Sequence, residues 1–303
     1  GQLQVASADT AGVPISPTAL ASNAVSALSG DGRYVAFVAP RFNGDTSFFR
    51  RVYVKDMDTG AVDWVSEGYV GSSNAGHCDI TSKALSADAR FVAMACLGIL
   101  LEGMRNEQIY VRDRVENVTE LVSRSEAAST GSPLKTEAPA ISPNGRFVSF
   151  HARSSSSGGL GFANGVNYDD NSGIYLRDRQ SQTTLALMKP EDGKRDGCEV
   201  SDVADNGAVL MACQMLDTQV PDQVFMYLPD EDDRPVLLST DVGGTLGNGV
   251  SGASLAQDAT GLWVTFSSLA TNLDPPDSND ASDIFVRMDA SLLNSLFVDG
   301  FEE

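Results

Sequence analysis

Residues Ala27-Leu-Ser-Gly-Asp-Gly-Arg-Tyr-Val-Ala-Phe37 return as Ala84-Leu-Ser-Ala-Asp-Ala-Arg-Phe-Val-Ala-Met94 and as Ala140-Ile-Ser-Pro-Asn-Gly-Arg-Phe-Val-Ser-Phe150. Two worn copies follow, Asp202-Val-Ala-Asp-Asn-Gly-Ala-Val-Leu-Met211 and the interrupted Ser254-Leu-Ala-Gln-Asp-Ala-Thr-Gly-Leu-Trp-Val-Thr-Phe266. Their turn residues, Asp31, Asp88, Asn144, Asp205 and Asp258, lie 57, 56, 61 and 53 positions apart. A fixed period of this size marks a repeat architecture, in which one supersecondary unit is built again and again. Asp31-Gly32, Asn144-Gly145 and Asn206-Gly207 sit between β-branched runs and predict tight hairpins, because Asn and Gly tolerate positive φ.

Each unit carries a second run: Val52–Asp56, Ile109–Asp113, Ile174–Asp178, Val224–Leu228 and Ile284–Met288. The first four add a third: Val62–Ser66, Val118–Ser123, Thr183–Leu187 and Pro235–Ser239. All are short, β-branched or aromatic, and partly alternating, which is the strand pattern. No stretch of helical length shows 3.6-residue periodicity. Four strands per unit and five units predict an all-β, five-bladed β-propeller of four-stranded antiparallel blades. Residues 1–303 then form a single domain, with blades starting near 24, 79, 137, 199 and 251. The inner strands are expected at Ala24–Leu28, Ile80–Leu85, Ala138–Ile141, Val200–Val203 and Gly252–Leu255. The fifth unit has no fourth strand of its own. Leu3-Gln-Val-Ala-Ser7 matches the Val-Ser segments that end other units, so it is expected to complete the last blade and close the ring, with Leu296-Phe-Val298 as the alternative.

The Ser-x-Asp-Gly-Arg-aromatic-Val-Ala-Phe run followed by Ile-Tyr-Val-Arg-Asp resembles the WD-repeat-like blades of the TolB-type propellers of bacterial envelope and secreted proteins. The resemblance spans nearly the whole chain. It implies a fold and a periplasmic or secreted setting, and it implies no particular reaction, since propellers host many unrelated activities.

The four cysteines fall in pairs that straddle hairpin turns at comparable distances. Cys78 and Cys96 flank Asp88, and Cys198 and Cys213 flank Asn206. Cys78–Cys96 and Cys198–Cys213 disulfides are expected, and with them an oxidising compartment. A zinc site is disfavoured because the spacings are not those of zinc ligands. The chain begins at Gly1 rather than Met, which fits a removed signal peptide.

The formal charge is −20, from 41 Asp and Glu against 21 Lys and Arg. So acidic a surface repels nucleic-acid backbones and anionic lipid. No apolar run approaches the roughly 20 residues of a membrane span. The expected molecule therefore binds no nucleic acid and does not insert into a membrane; a monomer is expected.

Connections between the first and second strands, and between the third and fourth, are tight and share one face. Long connections gather on the other face, where binding residues normally sit. That face would carry Phe42, Phe48, Phe49, Tyr69, Phe162 and Tyr168, suited to a protein or glycan partner. Asp277, Asn279, Asp280 and Asp283 place oxygens as a calcium loop does, without its Gly and closing Glu, so calcium is the one cofactor conceivable. Catalytic signatures are lacking: His77 and His151 lie in different blades, and no nucleophile motif occurs. The expected function is a non-catalytic binding module working through the long-loop face. The alternative is a glycan-processing hydrolase, for which the inner strands offer Asp79 and Asp202.

Overall fold

The structure is a computed structural model that describes residues 3–13, 25–40, 50–67, 77–97, 107–124, 135–153, 172–187, 195–215, 222–229, 235–273 and 281–288. Among the described residues there is no helix, only five antiparallel sheets. With the sheets labelled as blades in chain order, blade one holds β1 (Ser26–Leu28), β2 (Tyr34–Pro40), β3 (Arg50–Asp56) and β4 (Val62–Trp64). Blade two holds β5 (Cys78–Asp79), β6 (Phe91–Leu97), β7 (Glu107–Asp113) and β8 (Val118–Leu121). Blade three holds β9 (Lys135–Ile141), β10 (Phe147–Arg153), β11 (Ser172–Asp178) and β12 (Thr183–Ala186). Blade four holds β13 (Arg195–Val203), β14 (Val209–Met215), β15 (Gln223–Tyr227) and β16 (Val236–Leu237). Blade five holds β17 (Ser251–Gln257), β18 (Trp263–Ser268) and β19 (Asp283–Met288). Within each sheet the strands pair in chain order.

The recurring motif explains the recurring sheet. Ser29 Oγ donates to Asp31 Oδ1 at 2.7 Å and accepts from Tyr34 N at 2.9 Å. Ser86 and Ser142 repeat both bonds with Asp88 and Asn144. The turn is thus tied by side chains before any strand pairs. The Arg of each motif crosses to the end of the third strand: Arg33 to Asp56, Arg90 to Asp113 and Arg146 to Asp178, each at 2.7 Å. Each guanidinium also lies over the aromatic ring next to it, at 4.6 to 5.0 Å.

Blades join through apolar sheet faces. Val52 and Val54 of β3 pack with Val92, Met94 and Tyr110 of blade two, all fully buried. Ile109 and Val111 of blade two join Val148 and Phe150 of blade three in one core that runs on into blade four. Val224 and Met226 meet Val264 and Phe266 of blade five. At the short-turn face the blades are also stitched turn to turn. Gly30 N donates to Ala87 O, Ala87 N to Pro143 O, Asn144 N to Asp205 Oδ1, and Asp205 N to Ala259 O, at 2.7 to 2.9 Å.

Two expectations need correction. The inner strand foreseen at Ile80–Leu85 is broken by a turn, closed by Ala84 N to Thr81 O at 3.3 Å. Its polar groups serve blade three instead: Ile141 N donates to Lys83 O, and Thr81 Oγ1 to Pro139 O. The second is Leu3–Ser7, which forms no strand and does not pair with β19. Lys55 Nζ, buried in blade one, donates to Val5 O at 3.4 Å and Ala8 O at 3.3 Å, because a buried ammonium must find acceptors. The segment is held there, with Leu3 fully exposed.

Candidate site at the long-connection face

Both predicted disulfides are present. Cys78 and Cys96 are direct cross-strand partners with Cα atoms 4.1 Å apart, and Cys198 and Cys213 lie 4.0 Å apart. The first bridge pins β5 to β6 beside a cavity of about 530 Å³. Blades one, two and three each contribute to that cavity. Arg50 opens β3, His77 and Asp79 flank the disulfide, Leu97 ends β6, Glu107 opens β7, and Glu137, Ala138 and Pro139 come from β9. These are the strand ends from which the long connections leave. The site therefore lies on the face the sequence singles out.

The polar groups are held in place. Arg50 Nη2 meets Asp79 Oδ2 at 2.6 Å, joining blade one to blade two across the rim. Arg50 N–H donates to His77 Nδ1 at 3.4 Å. Leu97 N fixes the His77 carbonyl at 2.7 Å. Glu107 is anchored through its carbonyl, which accepts from Thr136 Oγ1 and Gln108 Nε2, both at 3.0 Å. Behind Glu137, the buried His151 places Nδ1 3.4 Å from its carboxylate. Ile80, Ala95, Leu97 and Pro139 supply apolar walls.

Ala138 sits in the left-handed region, at φ 52°, where the β9–β10 register slips between Ser149 and His151. Bulges of this kind re-aim side chains. This one falls between Glu137 and Pro139, at the cavity wall. The result is a concave site edged by three carboxylates, a guanidinium and an imidazole.

The central carboxylates are otherwise engaged. Asp202 Oδ2 takes Lys83 Nζ at 2.6 Å and Gln257 N at 3.2 Å, while Oδ1 takes Val203 N at 3.0 Å. Lys83 comes from blade two and Asp202 from blade four, so this pair spans blade three. Phe42, Phe48, Phe49, Tyr69, Phe162 and Tyr168 lie outside the described residues, as do Asp277, Asn279 and Asp280. Asp283 begins β19, opposite Ser268. Among the described residues no cluster of His, Cys, Asp and Glu is spaced to hold a metal ion. Arg50, Glu107 and Glu137 escape a linear reading because each comes from a different blade. Arg50 and Glu107 each open a strand after a long connection, the one sequence signal that could have found them.

No protein-family model and no curated protein matches the sequence. Solved structures do. An oligogalacturonate lyase in complex with manganese superposes with a TM-score of 0.53 at 9% identity, over 88% of this chain and 62% of that one. An acylaminoacyl peptidase of Pyrococcus horikoshii gives 0.48 at 11% identity, over 88% and 38%. The β-propeller domain of the trilobed protease from Pyrococcus furiosus gives 0.39 at 10% identity, over 87% and 82%. The chain spans about three fifths of the lyase's length and under two fifths of the peptidase's. At 9% identity the likeness to the lyase is one of fold alone, and it agrees with reading the antiparallel sheets as those of a β-propeller.

Proposed function

We propose that this propeller is a non-catalytic binding module that takes an envelope glycan or protein through its long-connection face. The observation that carries this reading is the cavity shared by blades one to three. Asp79, Glu107, Glu137, Arg50 and His77 line it, together with apolar walls from Ile80, Ala95, Leu97 and Pro139. Charged and polar side chains set among apolar walls suit a hydroxyl-rich ligand, whose many groups need partners in fixed directions. A glycan is the favoured occupant. The five sheets are read as the five blades of one TolB-type domain. Two disulfides within blades favour the periplasm or the exterior as its setting.

The hydrolase reading draws little from the geometry. Asp202 has both oxygens occupied by structural donors. A glycosidase needs one carboxyl free to give a proton and another free to act opposite it.

The test is retention on immobilised envelope polysaccharide, compared with an immobilised envelope-protein fraction. Glu137→Gln and Asp79→Asn are expected to weaken retention on the glycan at least tenfold with the melting temperature of Glu137→Gln unchanged. Undiminished retention by both variants would overturn the assignment of this cavity. Turnover of a glycoside panel by the native chain, abolished in Asp202→Asn, would favour the hydrolase instead.

A further inference from the structure

Four of the five sheets end in a fourth strand, and those outer strands are short: β4, β8, β12 and β16 have three, four, four and two residues. Blade five stops at β19, which has six. Among the described residues nothing pairs with its outer edge. Short edge strands, prolines and bulges are the usual means by which a sheet avoids pairing with another chain. β19 has none of them. It reads Asp283-Ile-Phe-Val-Arg-Met288 and runs along β18 without a shift of register.

The repeat shows which groups this edge presents. Val52 O accepts from Val65 N, Ile109 O from Val122 N and Val224 O from Leu238 N, at 2.8 to 3.0 Å. Phe285 stacks on Phe266 as Tyr53 does on Phe37, so Ile284 stands where Val52 does. Ile284, Val286 and Met288 therefore turn their N–H and C=O groups outward. Their side chains are 65%, 63% and 41% exposed, while the counterparts Val52, Val54, Ile109 and Val111 are all 0% exposed.

We infer that this edge is a homodimer interface, in which β19 pairs antiparallel with β19 of a second copy about a two-fold axis at Phe285. The strand is its own complement. Only outward-turned residues can exchange hydrogen bonds, so 284, 286 and 288 must face one another. Centring on Phe285 sets Ile284 against Val286 of the second copy as a hydrogen-bonded pair, and Phe285 against its own copy with Cα atoms about 4.5 Å apart. It also sets Asp283 opposite Arg287 of the second copy, once on each side of the axis. Opposite charges directly across a strand pair stabilise it, and like charges oppose it. A shift of two residues either way puts Phe285 opposite Arg287 or opposite Asp283 and loses both charge pairs. The charged groups are available. Arg287 uses Nη1 for Leu238 O and Thr240 Oγ1, and a guanidinium has further N–H donors on Nε and Nη2. Asp283 has no side-chain partner among the described residues. Six strands then run as one sheet, three from each copy. Blade five contributes nothing to the cavity of blades one to three, so the inference does not rest on the glycan reading.

The test is sedimentation velocity over a dilution series. The native chain is expected to sediment as a concentration-dependent dimer. Asp283→Arg sets like charges opposite each other across the axis, and so does Arg287→Asp. Each alone is expected to lower the association constant by about tenfold. Mixed in equal amounts, the two variants regain both opposite-charge pairs, and a heterodimer of native affinity should form. Val286→Pro is a second route. Its N–H faces the open edge, so the fold is kept while two hydrogen bonds across the axis are lost. A native chain that stays monomeric throughout would overturn the inference. Slow amide exchange at Ile284 and Val286 in such a monomer would assign the edge to a segment of the chain itself. A dimer indifferent to Asp283→Arg and Val286→Pro, or charge variants that do not recover on mixing, would overturn it as well.

Discussion

Gly145 shows how much one atom decides. Its φ is +76°, and a Cβ there would lie 2.2 Å from Cδ2 of Phe91 in the preceding blade. Gly32 has the same φ and open space around it. Gly32→Ala is expected to cost about 1 kcal/mol of backbone strain. Gly145→Ala adds overpacking and should cost about 3 kcal/mol. Urea midpoints of the two variants check this, and equal losses would mean that the Phe91 contact is yielding. The motif ion pairs make a second prediction. Burial raises the Asp178 pKa, but the Arg146 guanidinium and the amides of Gln180 and Ser181 more than offset it, holding the carboxyl at about 2. Asp56 and Asp113 are likewise depressed, chiefly by Arg33 and Arg90. A depressed carboxyl stabilises the fold above its unfolded pKa of about 4, and that contribution fades as pH falls toward 2. Acid unfolding should therefore centre between those values. Asp178→Asn should be less stable than the native chain at pH 6 and converge toward it near pH 2.

The tight elements were legible because they are local. Ser29, Ser86 and Ser142 sit two residues before the turn residue whose side chain they meet, so sequence distance and spatial distance agree. The disulfides were legible for the same reason, each being symmetric about a hairpin. What crosses from blade to blade was not. Arg114 lies over Tyr34 and meets Asp63 at 3.0 Å; Arg179 lies over Phe91 and meets Glu120 at 2.8 Å. Nothing near Arg114 in sequence announces Tyr34. The cavity is hidden likewise, since its lining is drawn from three blades. Worn blades confirm that motif residues act as pairs. Blade four has Ala208 and Leu228 where the Arg and Asp would stand, and blade five has Leu262 and Met288. For the disulfides, loops of 18 and 15 residues predict that replacing either pair by Ala lowers unfolding free energy by about 3 kcal/mol. Guanidinium titration at constant slope would show it, and a loss under 1 kcal/mol would place the restraint in strand pairing alone.

At the scale of the whole chain, two electrostatic effects compete. The ion pairs act at contact: Arg33–Asp56, Arg90–Asp113, Arg146–Asp178, Lys83–Asp202 and Arg179–Glu120 span 2.6 to 2.8 Å. The excess of 20 negative charges acts at long range, pressing the blades apart. The screening length falls from about 30 Å at 0.01 M salt to about 8 Å at 0.15 M. That range removes repulsion between distant carboxylates and leaves contact pairs nearly intact. Repulsion should therefore dominate the salt response at neutral pH. The melting temperature is expected to rise by several degrees between 0.01 and 0.15 M sodium chloride, with most of the gain below 0.1 M. A fall over the same range would mean that the blades are held chiefly by exposed ion pairs. A rise continuing unchanged to 1 M would point to exclusion of salt from apolar surface rather than to screening. A chain with four surface Asp or Glu residues outside these pairs changed to Asn or Gln should start higher and rise less.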